Sequence, residues 1–181
     1  EISGAGGIIR ILRGEGVIAS AGHSDATYRQ ALEGIDAGIR HATHLFNGMR
    51  RMTRKDAGIA GAMLIDKRVT VEVIADLIHV RSGRISLAFA MKPADKIVLI
   101  TDSVRAERPR SSVRGGVYRL RDGTIAGSRL TMMGAVRAVV TACGVPLIDA
   151  IRCATLNPAR LLRLEGRKGS LERGKDADIV L

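Results

Sequence analysis

The chain has 181 residues, 46% of them hydrophobic but only 2% aromatic, and its 29 Lys and Arg against 18 Asp and Glu leave a formal net charge of +11. That length and apolar fraction exclude a disordered tail and suit one domain whose core is built from Ala, Val, Ile, Leu and Met. The charge raises nucleic acid as a partner, yet two Tyr, two Phe and no Trp leave little to stack bases, and no nucleic-acid motif accompanies the basic runs Arg50 to Lys55 and Arg105 to Arg119.

An anionic small substrate, or a basic source proteome, explains the sign better. No apolar run approaches the roughly 20 residues of a membrane span and no targeting segment is recognisable, so a membrane is not an expected partner. Cys143 and Cys153 lack CxxC spacing and read as reduced core thiols in a cytoplasmic protein.

In chain order, Glu1 to Arg13 is a glycine-interrupted helical fragment around Ile8 to Leu12. Val17 to Gly22 predicts a strand that delivers His23. Ala26 to Gly38 predicts a helix, with Tyr28, Ala31, Leu32 and Ile35 at helical spacing and Ser24 or Asp25 as N-cap. Ile39 to His44 is a second short strand. Ala60 to Leu64 reads as a segment packed under a loop, and Arg68 to Asp76 as a β-branched strand. A helix over Ser82 to Met91 leads to the apolar strand Lys96 to Thr101, which delivers Asp102. Apolar strands alternating with helices predict a parallel sheet covered by helices.

Beyond Ser103 the texture changes. Ser103 to Gly115 is basic and aperiodic, as an active-site loop would be. Gly116 to Ile125 alternates around Asp122-Gly123 and reads as a hairpin. Ala126-Gly127-Ser128 leads into a helix from about Leu130 to Cys143, followed by helices over Leu147 to Ala154 and Asn157 to Leu162 and a tail ending in a strand.

Four strand ends therefore present His23, His44, His79 and Asp102. Histidines at equivalent ends of consecutive strands make a divalent metal plausible, though a catalytic zinc normally takes three protein ligands. A histidine at a strand end is equally open to a structural role, and Asp102 to that of a turn or N-cap residue.

Gly22-His23-Ser24, Ala42-Thr43-His44-Leu45-Phe46-Asn47-Gly48-Met49, Ala75-Asp76-Leu77-Ile78-His79-Val80, Thr101-Asp102, Ala126 to Met132, Asn157-Pro158-Ala159-Arg160 and Gly174-Lys175-Asp176-Ala177-Asp178 together resemble the N-acetylglucosamine-6-phosphate deacetylases of the amidohydrolase superfamily. The Ala-Thr-His-Leu-Phe-Asn segment with Ala-Asp-x-x-His-Val is the specific part; Gly-Lys-Asp-Ala-Asp recurs across many amidohydrolases.

The resemblance implies an α/β fold: the C-terminal half of a metal-dependent (β/α)8 TIM barrel, strands five to eight, over residues 1–165. Residues 166–181 would then supply a strand of a small β-sandwich. It implies one divalent ion, zinc or iron, held by His23 and His44, and a cytoplasmic homodimer acting on an amino-sugar phosphate. The family's third ligand, a glutamate on an earlier strand, has no counterpart here, since Glu15 precedes strand five.

Asp102 would move the proton in hydrolysis of the acetamide, and His79 would bind the sugar or its phosphate. Asn47 and the Gly48 N–H would hold the phosphate, and Ala126, Gly127 and Ser128 would line the sugar site. An ungapped match puts Lys55 where the family has its phosphate-binding arginine, with Arg54 beside it; lysine holds phosphate as a point charge, without the bidentate fork. With one metal ligand missing, the 181 residues alone are expected to show weak or no deacetylation. Another amidohydrolase acting on a cyclic or N-acyl amide, or a non-catalytic half-barrel assembly module, are the competing readings.

Overall fold

A computed structural model describes residues 1–104, 112–114, 117–119 and 123–180. Its frame is a four-stranded parallel sheet in the order β1-β2-β3-β4, formed by Ser20–Ala21, His41–Ala42, Thr70–Ile74 and Ile97–Ile100. Each crossover carries helix. Tyr28–Ala37 (α2) joins β1 to β2, Gly58–Ile65 (α3) joins β2 to β3, and Ser82–Met91 (α4) joins β3 to β4; Ala5–Gly14 (α1) precedes the sheet.

The strands sort their residues by face. Val71 and Val73 point with Ala42, Ile97 and Leu99 into a core shared with Ile35, Leu45, Met63, Leu64, Ile85 and Val139. On β2 and β3, His41, Thr70 and Glu72 occupy the opposite face and bond to one another. The opposite face is polar on β2 and at the start of β3, and turns apolar at Ile74 and Val98, both buried.

Several expectations shift. α2 is capped by Thr27 rather than Ser24 or Asp25: Thr27 and Gln30 form a reciprocal capping box, while Ser24 forms a bridge with Met49. Residues 58–64 are all buried, so the segment expected to pack under a loop is a full helix, α3; small and apolar all round, it lacks the polar stripe by which a surface helix is recognised.

Ser112–Arg114 (β5), Val117–Arg119 (β6) and Ile125–Ser128 (β7) form an antiparallel sheet in the order β5-β6-β7. Ala126, Gly127 and Ser128 thus belong to a strand rather than to the approach of a helix. The expected Asp122-Gly123 turn lies partly outside the described residues, as do residues 105–111 and 115 of the expected active-site loop.

Met132–Cys143 (α5), Leu147–Ala154 (α6) and Leu156–Leu161 (α7) complete the chain. Residues 169–180, expected to include a strand of a sandwich, contain bends and a turn but no strand. Arg167 and Lys168 hold that segment through ion pairs to Asp176 and Asp178. Among the described residues no helix is long and apolar enough to cross a membrane.

Candidate metal centre at the C-terminal rim of the sheet

Strand register brings the two histidines together. Ala21 on β1 pairs with Ala42 on β2, and His23 and His44 each follow two residues later. Both leave the strand with left-handed backbone, φ 45° and 34°, which turns their side chains toward each other. Their rings meet edge to face with centroids 4.6 Å apart and Nε2 atoms facing at 3.0 Å. Two nitrogens each about 2.0–2.1 Å from one ion keep such a separation when they are neighbours in its coordination sphere. His44 is 6% exposed and its Nδ1 is buried without a hydrogen-bond partner, an arrangement that leaves the ring's polarity directed at Nε2.

The donor set therefore fits two ligands of a divalent ion. Among the described residues no cluster of three His, Cys, Asp or Glu completes it.

The segment after β2 is shaped around the pair. Gly48 adopts φ +57°, and a Cβ there would lie 2.7 Å from His23 Nδ1, so only glycine lets the loop pass against the imidazole. The Gly48 N–H makes no hydrogen bond among the described residues, whereas Asn47 Nδ2 donates to the His44 and Leu45 carbonyls and so braces the turn. Glu72, which the sequence did not single out, accepts from the His44 N–H at 3.3 Å through Oε2 and sits 2.9 Å from His41 Nε2 through Oε1.

Asp76 holds the rim beside it. Its carboxylate accepts the Ile78 and His79 N–H groups, both at 2.8 Å, and lies 2.6 Å from His79 Nδ1. Burial opposes ionisation of Asp76, but these bonds outweigh it and hold the carboxyl below its ordinary range. They also commit Nδ1 of His79, leaving Nε2 for a ligand. His79 is thus set by Asp76, the residue two beyond the end of β3, rather than by the strand end itself.

Asp102 follows β4 by the same two residues and also has positive φ, 46°. Its carbonyl accepts from the Ser128 N–H at 3.0 Å, and Ser128 Oγ donates to the Thr101 carbonyl, so β7 is fastened to the rim beside Asp102. Gly127 packs against Val104, where a Cβ would meet Val104 Cγ2 at 2.6 Å. The Asp102 carboxylate is exposed and has no partner among the described residues.

Arg54 and Lys55 are exposed and form no ion pair among the described residues. Their loop is anchored by Asp56, which accepts from the Tyr28 and Gly58 N–H groups and pairs with Arg50. The basic run is therefore divided: Arg50 serves the fold, bridging Asp25 and Asp56, while Arg54 and Lys55 are available to an anion.

Residues 9–181 match the model of the Amidohydrolase family. The chain belongs to that family. It is 37% identical over 183 residues to an N-acetylglucosamine-6-phosphate deacetylase of Lysinibacillus sphaericus, covering 96% of this chain and 47% of the relative. To an N-acetylgalactosamine-6-phosphate deacetylase of Escherichia coli O157:H7 it is 38% identical, covering 99% of this chain and 50% of the relative.

Among solved structures, the N-acetyl-D-glucosamine-6-phosphate deacetylase of Mycobacterium smegmatis, a mutant in complex with N-acetyl-D-glucosamine-6-phosphate, superposes with a TM-score of 0.88 at 38% identity. That match covers 98% of this chain and 50% of the other. The Pasteurella multocida enzyme also gives 0.88, at 32% identity, over 95% of this chain and 48% of its own. The chain spans about half the length of each of these four proteins.

Proposed function

We propose that this chain carries the metal-binding and proton-transfer half of a deacetylase that hydrolyses the acetamide of N-acetylglucosamine 6-phosphate to glucosamine 6-phosphate and acetate. The facing of His23 and His44 Nε2 at 3.0 Å carries the reading, because it gathers two imidazole nitrogens at one point of a rim where Asp102 and the Asp76-His79 pair also end. The four parallel strands are read as half of a (β/α)8 barrel. In support, β1 and β4 are open edges, and apolar side chains on the helices at the two ends of the chain's sheet remain exposed, Ile11 at 66% and Ile148 at 57%.

When bound, a divalent ion such as zinc or iron supplies a nucleophilic water at neutral pH and polarises the acetamide carbonyl. His23 and His44 would hold it, with the third ligand, by the resemblance, a glutamate outside these residues. Asp102 would accept the proton of the attacking water and return it to the departing amine, which its unpartnered carboxylate permits. His79, held by Asp76, would offer Nε2 to the sugar or its phosphate. The Gly48 N–H, with Asn47 beside it, and the free cations of Arg54 and Lys55 would receive the phosphate, and Ala126, Gly127 and Ser128 would border the sugar.

The relative from Escherichia coli O157:H7 supports a second substrate, the galactosamine epimer. Acetate release from both N-acetylhexosamine 6-phosphates tests the reading. A rate well below that of a complete enzyme is expected, abolished by Asp102→Asn; release that survives this substitution would contradict the role given to Asp102.

A further inference from the structure

We infer that Glu72 is the positioning residue of the metal centre, acting through the backbone of His44. The inference rests on the assignment of His23 and His44 as ligands and adds how one of them is held.

β2 ends at Ala42, and beyond Thr43, whose N–H donates to the Ala21 carbonyl at 2.9 Å, the chain turns out of the ladder. His44 nevertheless keeps φ 34° and Phe46 φ 75°, conformations that a non-glycine residue holds only when its surroundings impose them. Glu72 imposes them twice. Its main-chain carbonyl accepts from the Leu45 N–H at 2.8 Å, and its side-chain Oε2 accepts from the His44 N–H at 3.3 Å. One residue of β3 thus holds two successive amides of a turn 28 positions earlier, and the imidazole of His44 points where that turn aims it.

The carboxylate is itself held. The carboxylate oxygen accepts from His41 Nε2 at 2.9 Å, and in the neutral ring Nδ1 in turn accepts from Thr70 Oγ1 at 2.7 Å, while the Thr70 N–H donates to the Arg40 carbonyl at 3.0 Å. His41 is 4% exposed and lies directly opposite Thr70 in the β2-β3 register. His41 Nε2 and the His44 N–H thus take one carboxylate oxygen each.

The chain of contacts runs from Arg40 through Thr70, His41 and Glu72 to His44. None of the first four touches the Nε2 pair, and an outer partner of this kind is typically worth about 10–100-fold in metal affinity.

The test has two arms. In the metal-free chain, NMR should show cross-relaxation between the His23 and His44 ring protons. Glu72→Gln, which keeps the shape but replaces one acceptor oxygen with a donor, should abolish it while the rest of the spectrum is preserved. In the second arm, Co2+ is titrated and its visible absorption recorded. Glu72→Gln should weaken binding about 10–100-fold and alter the bands, Thr70→Val should weaken it less, and Thr70→Ser, which retains the hydroxyl, should match wild type.

Unchanged ring contacts in Glu72→Gln, or Co2+ affinity and bands equal to wild type, would overturn the inference. A wild-type chain that binds no Co2+ would instead overturn the metal assignment, and the ring contacts alone would then decide the role of Glu72.

Discussion

At the N-terminal rim of the sheet, Lys92 Nζ donates to the Asp66 and Val69 carbonyls, and Asn157 Nδ2 donates to those of Ala94 and Ile97. At the C-terminal rim, His23 and His44 turn their Nε2 atoms on each other and Asp102 leaves its carboxylate in solvent. Both rims contain polar groups beside apolar strands, but the first spends its donors on backbone that the fold must satisfy, and the second withholds its groups behind strained turns. That contrast separates residues that stabilise the sheet from residues placed to receive something from outside, the division expected between the two ends of a parallel barrel.

Substitutions at the two rims should differ accordingly. Asn157→Ala leaves two buried carbonyls without a donor and opens a void, and should lower the unfolding free energy by about 3 kcal/mol in urea titration, with no change in metal binding. Lys92→Met nearly conserves volume but strips the Asp66 and Val69 carbonyls of their donor, for a loss of about 2 kcal/mol at neutral pH. A loss of either size from His23→Ala would erase the contrast.

Lys92 also gives the N-terminal rim a pH signature. Burial pushes it down to about 8 from 10.5, against the attraction of Asp66. The unfolded chain then binds the extra proton between those values, so the stability contributed by this group rises with pH across that window and is lost as pH falls through about 8. The difference in urea midpoint between wild type and Lys92→Met should therefore widen from pH 8 toward pH 10; a constant difference would show that Lys92 titrates normally.

Effects on the C-terminal rim should be small in stability and large in binding. Gly48→Ala forces a side chain into left-handed backbone at a cost of about 1 kcal/mol, and displaces the His23 ring it would strike. His23→Ala, at an exposed position, should change stability by no more than about 0.5 kcal/mol while removing one of the two proposed ligands.

The sequence was most readable where local signals and tertiary role agree. Ser82–Met91 and Leu147–Ala154 occur with the bounds that their spacing suggests, and His23, His44 and Asp102 each stand two residues past a strand end as the apolar runs imply, whereas His79 does not. Reading failed where a distant partner decides. α3 is hidden by being apolar on every side. Ser24 looks like an N-cap, but its bridge to Met49 takes it away from α2 and Thr27 takes over.

Glu72 gave no local sign of its part, because its two clients lie across the β2-β3 register, which no spacing rule reveals. The signal that was present is the alternation of Thr70 and Glu72 with Val71 and Val73, which puts a carboxylate on the face opposite the core. The C-terminal tail, expected to end in a strand, shows none over residues 169–180.

Calorimetric titration of zinc into the wild-type chain, His23→Ala and His44→Ala tests the central claim most directly. One binding event per wild-type chain, absent from both variants while their folds persist, is the expected result. Zinc uptake unchanged by either substitution, or none by the wild type, would contradict the assignment of the paired imidazoles as a metal centre.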